Sequence, residues 1–311
     1  MKEFLWVEKY RPQIIEDIVL PADILNTFKG FVGSGELPNM LFSGTAGLGK
    51  TTVAKALCNE LSLDYLLVNC SEESGIDTLR NKIKNFASSM SLTGGYRVVI
   101  LDEADYLNAN STQPALRAFI EEFSANCRFI LTCNFKNRII EPLHSRCSGF
   151  DFNFKKSELQ KLCATFLRRL EDILKKEGVE YDTKVLVDLI MKHAPDWRRV
   201  LNECQRHSTT GKITPDVLVS VSDESIHEMM GMLREKKFGD IRKWVANNTG
   251  LDGTVTFRAL YDNLSQYMTT ESVAESILII ADYSYKSAFV ADKEINLMAC
   301  LTELMVKVKW K

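Results

Sequence analysis

Two clusters of residues in this sequence are placed to handle a phosphorylated substrate. Gly44-Thr45-Ala46-Gly47-Leu48-Gly49-Lys50-Thr51 satisfies the spacing G-x-x-x-x-G-K-[ST]. Glycines there let the N–H groups of a loop turn inward around phosphate oxygens, and a helix starting at the loop adds partial positive charge. In that arrangement Lys50 reaches the β- and γ-phosphates of ATP and the Thr51 hydroxyl ligates Mg²⁺, with Gly44, Gly47, Leu48, Gly49 and Thr52 completing the cradle. The plain alternative is an ordinary glycine loop. The second cluster, Asp102-Glu103, ends the apolar run Val98-Val99-Ile100-Leu101. A buried strand delivers Asp102 beside the metal, and Glu103, one residue on, can polarise an attacking water. Acids after a strand commonly cap helices, so this pair takes its meaning from the loop. Together the two clusters favour hydrolysis over binding without turnover.

These groups need a scaffold, and its pattern is visible. Short apolar runs, Met40-Leu41-Phe42, Tyr65-Leu66-Leu67-Val68, Val98 to Leu101 and Phe129-Ile130-Leu131, alternate with helical stretches such as the one carrying Val53, Leu57 and Leu61. Uniformly apolar strands separated by helices predict an α/β fold with a parallel sheet covered on both faces. Phe150-Asp151-Phe152 is a candidate fifth strand. After about residue 153 strand signals stop and helical spacing takes over: Leu159, Leu162, Phe166 and Leu170, then Leu186, Leu189 and Ile190. A break at Gly211 to Pro215 precedes a short helix with Val217, Leu218 and Val221. Four more amphipathic segments follow, divided near Gly239, Gly250–Gly253 and Thr269-Thr270. The expected domains are 1–152, which binds nucleotide, a small helical one over 153–222, and a second helical one over 223–311.

Composition narrows the class. Of the 311 residues, 45% are hydrophobic and 26% charged, the balance of a folded globular chain rather than a disordered one. The longest aliphatic stretch, Ile277 to Ala281, is far short of the roughly 20 residues that a bilayer needs. The start, MKEFLWVEKYRP, lacks the apolar core of a secretory signal, so a cytoplasmic location is expected. Eight cysteines include no C-x-x-C pair, which argues against a metal cluster and, in a reducing compartment, against disulfides; Cys58, Cys163 and Cys300 sit in apolar patterns that suit buried thiols. Net charge is −2, so contact with DNA must come from a local basic stripe or from helix termini.

Trp6-Val7-Glu8-Lys9-Tyr10-Arg11-Pro12, the phosphate loop, Asp102-Glu103-Ala104-Asp105 and Ser145-Arg146-Cys147 occur in an order that resembles the AAA+ sliding-clamp-loader family, which includes replication factor C small subunits and the T4-type phage large subunit. That resemblance implies an ATPase motor that opens a sliding clamp and places it on primer–template DNA, within a ring-like, pentameric complex of clamp-loader subunits. It implies an AAA+ P-loop domain, a helical lid and a C-terminal helical collar for oligomerisation. It also implies roles. Val7, Arg11 and Val19 lie beside the adenine and ribose, and Glu8, Lys9 and Tyr10 join them as ATP-binding residues. Asn134 is the first sensor of the γ-phosphate, and Arg198, in Asp196-Trp197-Arg198-Arg199, is the sensor on the lid. Arg146 is the arginine finger that acts on a neighbour's ATP. The blander readings are a turn cap for Asn134, a solvated arginine for Arg146 and a charged helix face for Arg198 and Arg199, between which motif alignment alone chooses. Ala46 stands where the family often has proline, a variable position.

Ile76 to Lys84 resembles the helix that the family turns toward the duplex. Arg80 and Lys84, four apart, share a helix face and are candidates for phosphate contact; a solvated face is the alternative. Met90 and Leu92, ahead of Thr93-Gly94-Gly95, are candidate clamp anchors. Asp102-Glu103-Ala104-Asp105 also spells the DEAD-box helicase signature, but the S-A-T and H-R-x-G-R motifs of those enzymes do not occur. A subunit that binds ATP without hydrolysing it would typically have lost one of Lys50, Thr51, Asp102, Glu103 or Arg146. Another AAA+ replication ATPase, such as an initiator or helicase loader, is the remaining alternative. The short region after residue 223 looks more phage-like than eukaryotic, and the absence of a cysteine quartet excludes the zinc-carrying bacterial subunit type.

Overall fold

Alternation along the apolar runs sends side chains to two faces of one sheet, so each run must be covered twice. In a computed structural model, which describes residues 4–73, 75–88, 95–209, 211–214, 221–247, 253–287 and 289–311, that is the arrangement. Strands β1 (Met40–Ser43), β2 (Tyr65–Asn69), β3 (Arg97–Asp102), β4 (Cys127–Cys133) and β5 (Ser148–Asp151) form a parallel sheet in the order β2-β3-β4-β1-β5. The fifth strand thus begins two residues before the expected Phe150 and ends before Phe152, which is buried against the aromatic cluster at that edge.

Helices α2 (Ala22–Ser34), α3 (Lys50–Glu60), α4 (Ile76–Ser88), α5 (Thr112–Glu122) and α6 (Glu141–His144) flank the sheet, while the short α1 (Trp6–Lys9) packs on a later helix. Val98 and Ile100 point toward α3 and α2, where they meet Val53, Leu57 and Phe28. Val99 and Leu101 point the other way, onto Leu79 and Ile83 of α4 and Leu116 and Ile120 of α5. Gln113 is fully buried in α5; its amide donates to the Leu107 and Arg138 carbonyls and accepts the Ile140 N–H, joining α5 to the segment that leads into α6.

The chain then becomes helical: α7 (Lys156–Glu177), α8 (Thr183–His193) and α9 (Trp197–Ser208). A two-stranded parallel ladder of β6 (Glu180–Tyr181) and β7 (Lys212–Ile213) ties α7 to the end of α9. This ladder corrects the expectation of no strands after residue 153; two-residue strands are too short to show a period. By packing, residues 1–217 form one compact unit and 218–311 a second.

The second unit holds α10 (Val221–Arg234), α11 (Phe238–Asn247), α12 (Gly253–Tyr267), α13 (Thr270–Lys286) and α14 (Lys293–Lys307). Its core gathers Met229, Leu233, Trp244, Leu260, Ile280, Cys300 and Leu304 from all five. One segment more than expected appears because Asp292 caps α14 through the Glu294 and Ile295 N–H groups, which separates it from α13. Gly239 lies inside α11, and the break falls at 235–237 instead. Of the expected short helix with Val217, Leu218 and Val221, the first two lie outside the described residues and Val221 instead opens α10.

Seven of the eight thiols are buried and Cys147 is half-buried. Burial pushes Cys58, Cys70, Cys204 and Cys300 up to about 12, and Cys127, Cys133 and Cys147 up to about 11. The reactive species is the thiolate, so at pH 8 these seven should hold it to about one part in a thousand or less. We expect a thiol-specific alkylating agent at pH 8 to label the native chain slowly and the urea-unfolded chain at all eight cysteines. Rapid native labelling of Cys58 or Cys204 would contradict this packing.

Candidate active site

Parallel pairing places the carboxyl ends of β1, β3 and β4 side by side: Ser43 is in register with Cys133, and Leu101 with Leu131. From these ends spring the glycine loop, Asp102-Glu103 and Asn134. The loop runs from Gly44 into α3, whose N-cap is Gly49 at φ 88°. Gly47 is also left-handed, at φ 82°, and a Cβ there would lie 2.0 Å from Asp196 Oδ1. Glycine is therefore required at 47 both by backbone conformation and by a carboxylate from the helical region.

Lys50 heads α3 and is buried. Its ammonium donates to Gly44 O at 2.7 Å, Thr45 O at 2.8 Å and Asn134 Oδ1 at 3.0 Å, three acceptors for three N–H bonds. Burial holds its pKa below the ordinary lysine value; an anionic phosphate oxygen is the partner that favours the charged form. Asn134 is aimed by Asp105, a buried residue whose Oδ2 accepts the Asn134 and Phe135 N–H groups at 3.3 and 3.2 Å.

Asp102 Oδ1 accepts from the Thr51 hydroxyl and from the Thr132 hydroxyl, each at 2.6 Å. Thr132 in turn accepts the Glu103 N–H at 3.1 Å. A carboxylate and a hydroxyl in contact beside the phosphate loop are hard oxygen donors, the set that suits Mg²⁺ held partly by waters and substrate phosphates. Glu103 follows at φ 56°, left-handed for a residue with a side chain. That turn carries its carboxylate to the lining shared with Lys50, Thr51, Asp102, Asn134 and Arg198.

An adjoining hollow is walled by Val7, Tyr10, Arg11, Val19, Leu48, Thr52 and Arg198 together with Phe166, Arg169 and Trp197. Phe166 and Trp197 stack with ring centroids 4.6 Å apart. Arg198 lines both hollows; Arg199 lines neither, its N–H being spent on the Asp196 cap of α9. Gly47, Leu48, Gly49 and Thr52 are likewise common to both, so the phosphate cradle and the apolar slot form one cleft.

Other expected site residues lie elsewhere. Glu8 and Lys9 do not line the cleft: Glu8 pairs with Arg11, which holds its carboxyl below the usual range, and Lys9 pairs with Glu177 of α7. Arg146 is likewise outside the cleft of its own chain, donating to Glu121 and to the Pro142 carbonyl. Arg80 and Lys84 stand exposed on α4 beside its buried stripe of Leu79, Ile83 and Ala87, and Lys84 pairs with Glu122. Met90 and Leu92 lie outside the described residues. Sequence reading passed over Thr132, Asp196 and Arg169. Arg169 of α7 donates to the Tyr10 and Asp17 carbonyls, and Gln205 of α9 accepts the Trp6 N–H, so the N-terminal segment that walls the hollow is strapped to α7 and α9. The legible signal for Asp196 was its N-cap position; a half-buried arginine bonding to distant carbonyls leaves none.

Gly47→Ala forces a methyl group against Asp196 at a left-handed position. Strain of about 1–3 kcal/mol corresponds to roughly tenfold or more in ATP affinity, which a titration of the full chain would read. Unchanged affinity would show that Asp196 does not press on the loop in the nucleotide complex.

Residues 40–157 match the family model described as "ATPase family associated with various cellular activities (AAA)". A point mutant of RuvB from Thermotoga maritima superposes with a TM-score of 0.55 over 78% of this chain and 86% of that one at 14% identity, a likeness of fold. The "Sliding-clamp-loader large subunit" of Enterobacteria phage T4 is 32% identical over 100% of this chain and 98% of its own length. The "Replication factor C small subunit" of Sulfurisphaera tokodaii is 36% identical over 98% and 96% respectively. With a glycine loop, an Asp-Glu strand end and an arginine of α9 lining one cleft, and with end-to-end similarity to these proteins, the chain belongs to the clamp-loader subunits of the AAA ATPase family.

Proposed function

We propose that this chain is the ATP-hydrolysing motor subunit of a loader that opens a sliding clamp and sets it on primer–template DNA. The observation that carries this reading is the single cleft in which Lys50, Thr51, Asp102, Glu103, Asn134 and Arg198 meet. The base and ribose of ATP occupy the slot of Val7, Tyr10, Arg11 and Val19, with Thr52 and Leu48 at its floor. Lys50 and the loop N–H groups bind the phosphates, and Thr51 and Asp102 hold Mg²⁺, whose charge offsets that of the β- and γ-phosphate oxygens. Glu103 takes a proton from the attacking water, Asn134 orients that water or the γ-phosphate, and Arg198 draws the lid onto the nucleotide. Within residues 1–217 the division is an AAA+ domain to about residue 152 followed by the lid. The second unit is the collar; its exposed Leu278, Tyr285, Ile295 and Val306 support burial against other subunits of a pentamer. Among the described residues no helix is long and apolar enough to cross a membrane, and the working site is the cytoplasm, that of a bacterial host if the chain is phage-encoded.

Two tests address the roles. Glu103→Gln should keep ATP binding while turnover falls about 10²-fold or more, the scale of losing a general base. Arg146, outside its own cleft, serves a neighbour's ATP, where such a finger is worth about 10³–10⁵ in rate. Arg146→Ala and Glu103→Gln chains, each nearly inactive alone, should therefore regain partial ATPase when mixed in one complex with exchange verified by differential tags. Verified mixed complexes without recovered turnover would remove action in trans.

The exposed pair Arg80 and Lys84 supports contact with DNA phosphates. Replacing both by Ala should weaken primer–template binding for unrelated sequences alike and flatten the salt dependence by roughly two units of slope. An unchanged slope would return them to a solvated face.

A further inference from the structure

Strand β4 is apolar through Phe129, Ile130 and Leu131 and then carries a buried hydroxyl at Thr132, 1% exposed. A β-strand would take valine there as readily, without burying a polar group. The hydroxyl is engaged on both sides. It has one proton to donate, and that proton goes to Asp102 Oδ1, while the oxygen accepts the Glu103 N–H. The direction is fixed by the partners, because a carboxylate accepts and a peptide N–H donates. A single side chain thus links the carboxylate beside Thr51 to the peptide of the next residue.

That peptide is the unusual one in the site. Glu103 stands at φ 56°, a conformation that costs a residue with a Cβ and persists where surrounding contacts determine it. Two contacts do so: the N–H to Thr132, and the carbonyl accepting the Tyr106 N–H at 3.0 Å. Without the hydroxyl, the Glu103 N–H loses its acceptor, and Asp102 Oδ1 keeps only Thr51, the group it shares with the metal site.

We propose that Thr132 is a positioning residue for ATP hydrolysis: it fixes the Asp102 carboxylate toward Thr51 and holds the Glu103 backbone in the turn that presents its carboxylate. This rests on the roles given above to Asp102 and Glu103. A group that hydrogen-bonds a metal ligand typically changes metal affinity or activity by about 10–100-fold when removed.

The test compares Thr132→Val, which deletes the hydroxyl and keeps the branched shape, with Thr132→Ser, which keeps the hydroxyl. The full chain in its assembled complex is assayed for kcat and KM, and Mn²⁺ binding to the chain with a non-hydrolysable ATP analogue is followed by electron paramagnetic resonance. The valine variant should lose about 10–100-fold in kcat and about tenfold in Mn²⁺ affinity with metal-free nucleotide binding unchanged, and serine should restore both to near wild type. If Thr132→Val does not fold, Thr132→Ala takes its place. Wild-type kcat and Mn²⁺ affinity without the hydroxyl, or a serine variant as impaired as valine, would overturn the proposal. Glu103→Gln run beside them separates the two ideas: turnover retained there defeats the reading of Glu103, whereas turnover lost there but kept in Thr132→Val defeats the role of Thr132 alone.

Discussion

Parallel pairing of β1, β3 and β4 is the constraint on which the rest of the molecule depends. Antiparallel neighbours would send alternate strand ends to opposite edges of the sheet. Here all three carboxyl ends leave at one edge, and the register sets Ser43 beside Cys133 and Leu101 beside Leu131. The glycine loop, the two acids and the Asn134 amide therefore emerge within hydrogen-bonding reach although 91 positions separate Asn134 from Ser43. Ligands of open α/β sheets bind at this edge for the same reason. Helices are required on both faces because the strands are apolar on both, and α3 then adds its N-terminus to the same place.

How much of this the sequence discloses depends on how local each cause is. The phosphate loop is local: glycines, lysine and threonine act within eight consecutive positions, and the spacing alone predicts the turn and the helix after it. Four strands are legible because unbroken apolar runs bounded by polar residues have few alternatives. The fifth strand is displaced because Ser148 and Gly149 are weak strand formers that pair only because β1 offers a free edge. The β6–β7 ladder is invisible for a similar reason. Thr132 and Arg169 were illegible because their meaning lies with partners at Asp102 and Glu103 or at Tyr10 and Asp17, which only the fold brings near. Asp105, quoted in its motif yet given no task, proves to aim Asn134.

Charge is handled locally throughout residues 1–217. With a net charge of −2 the molecule has little long-range pull on a polyanion, yet the cleft gathers Lys50 and Arg198 beside a helix N-terminus. Asp102, Glu103 and Asp196 stand close to these cations, so phosphates enter a field already balanced by carboxylates. The exposed Arg80 and Lys84 lie on a separate helix, α4, where Lys84 pairs with Glu122.

The strapping of the N-terminal segment to α7 and α9 has a mechanical consequence. Residues 4–12 are bound to these helices by Gln205, Glu177 and Arg169, whereas Ile15 is bonded to Glu60 and buried with Ile18 in the core beside the sheet. Helices α7 to α9 and the segment bonded to them make one jaw, joined covalently to the sheet frame at two places, near Gln13 and near Asn153. A jaw hung on two pins swings most easily about the line through them, and its other motions stretch or shear the chain. Arg169 sits at one pin, gripping the Tyr10 carbonyl on the jaw and the Asp17 carbonyl on the frame. Any displacement of α7 and α9 from the sheet would therefore carry the bonded segment 4–12 with it, so Val7, Tyr10 and Arg198, which line the two hollows, would shift as a set.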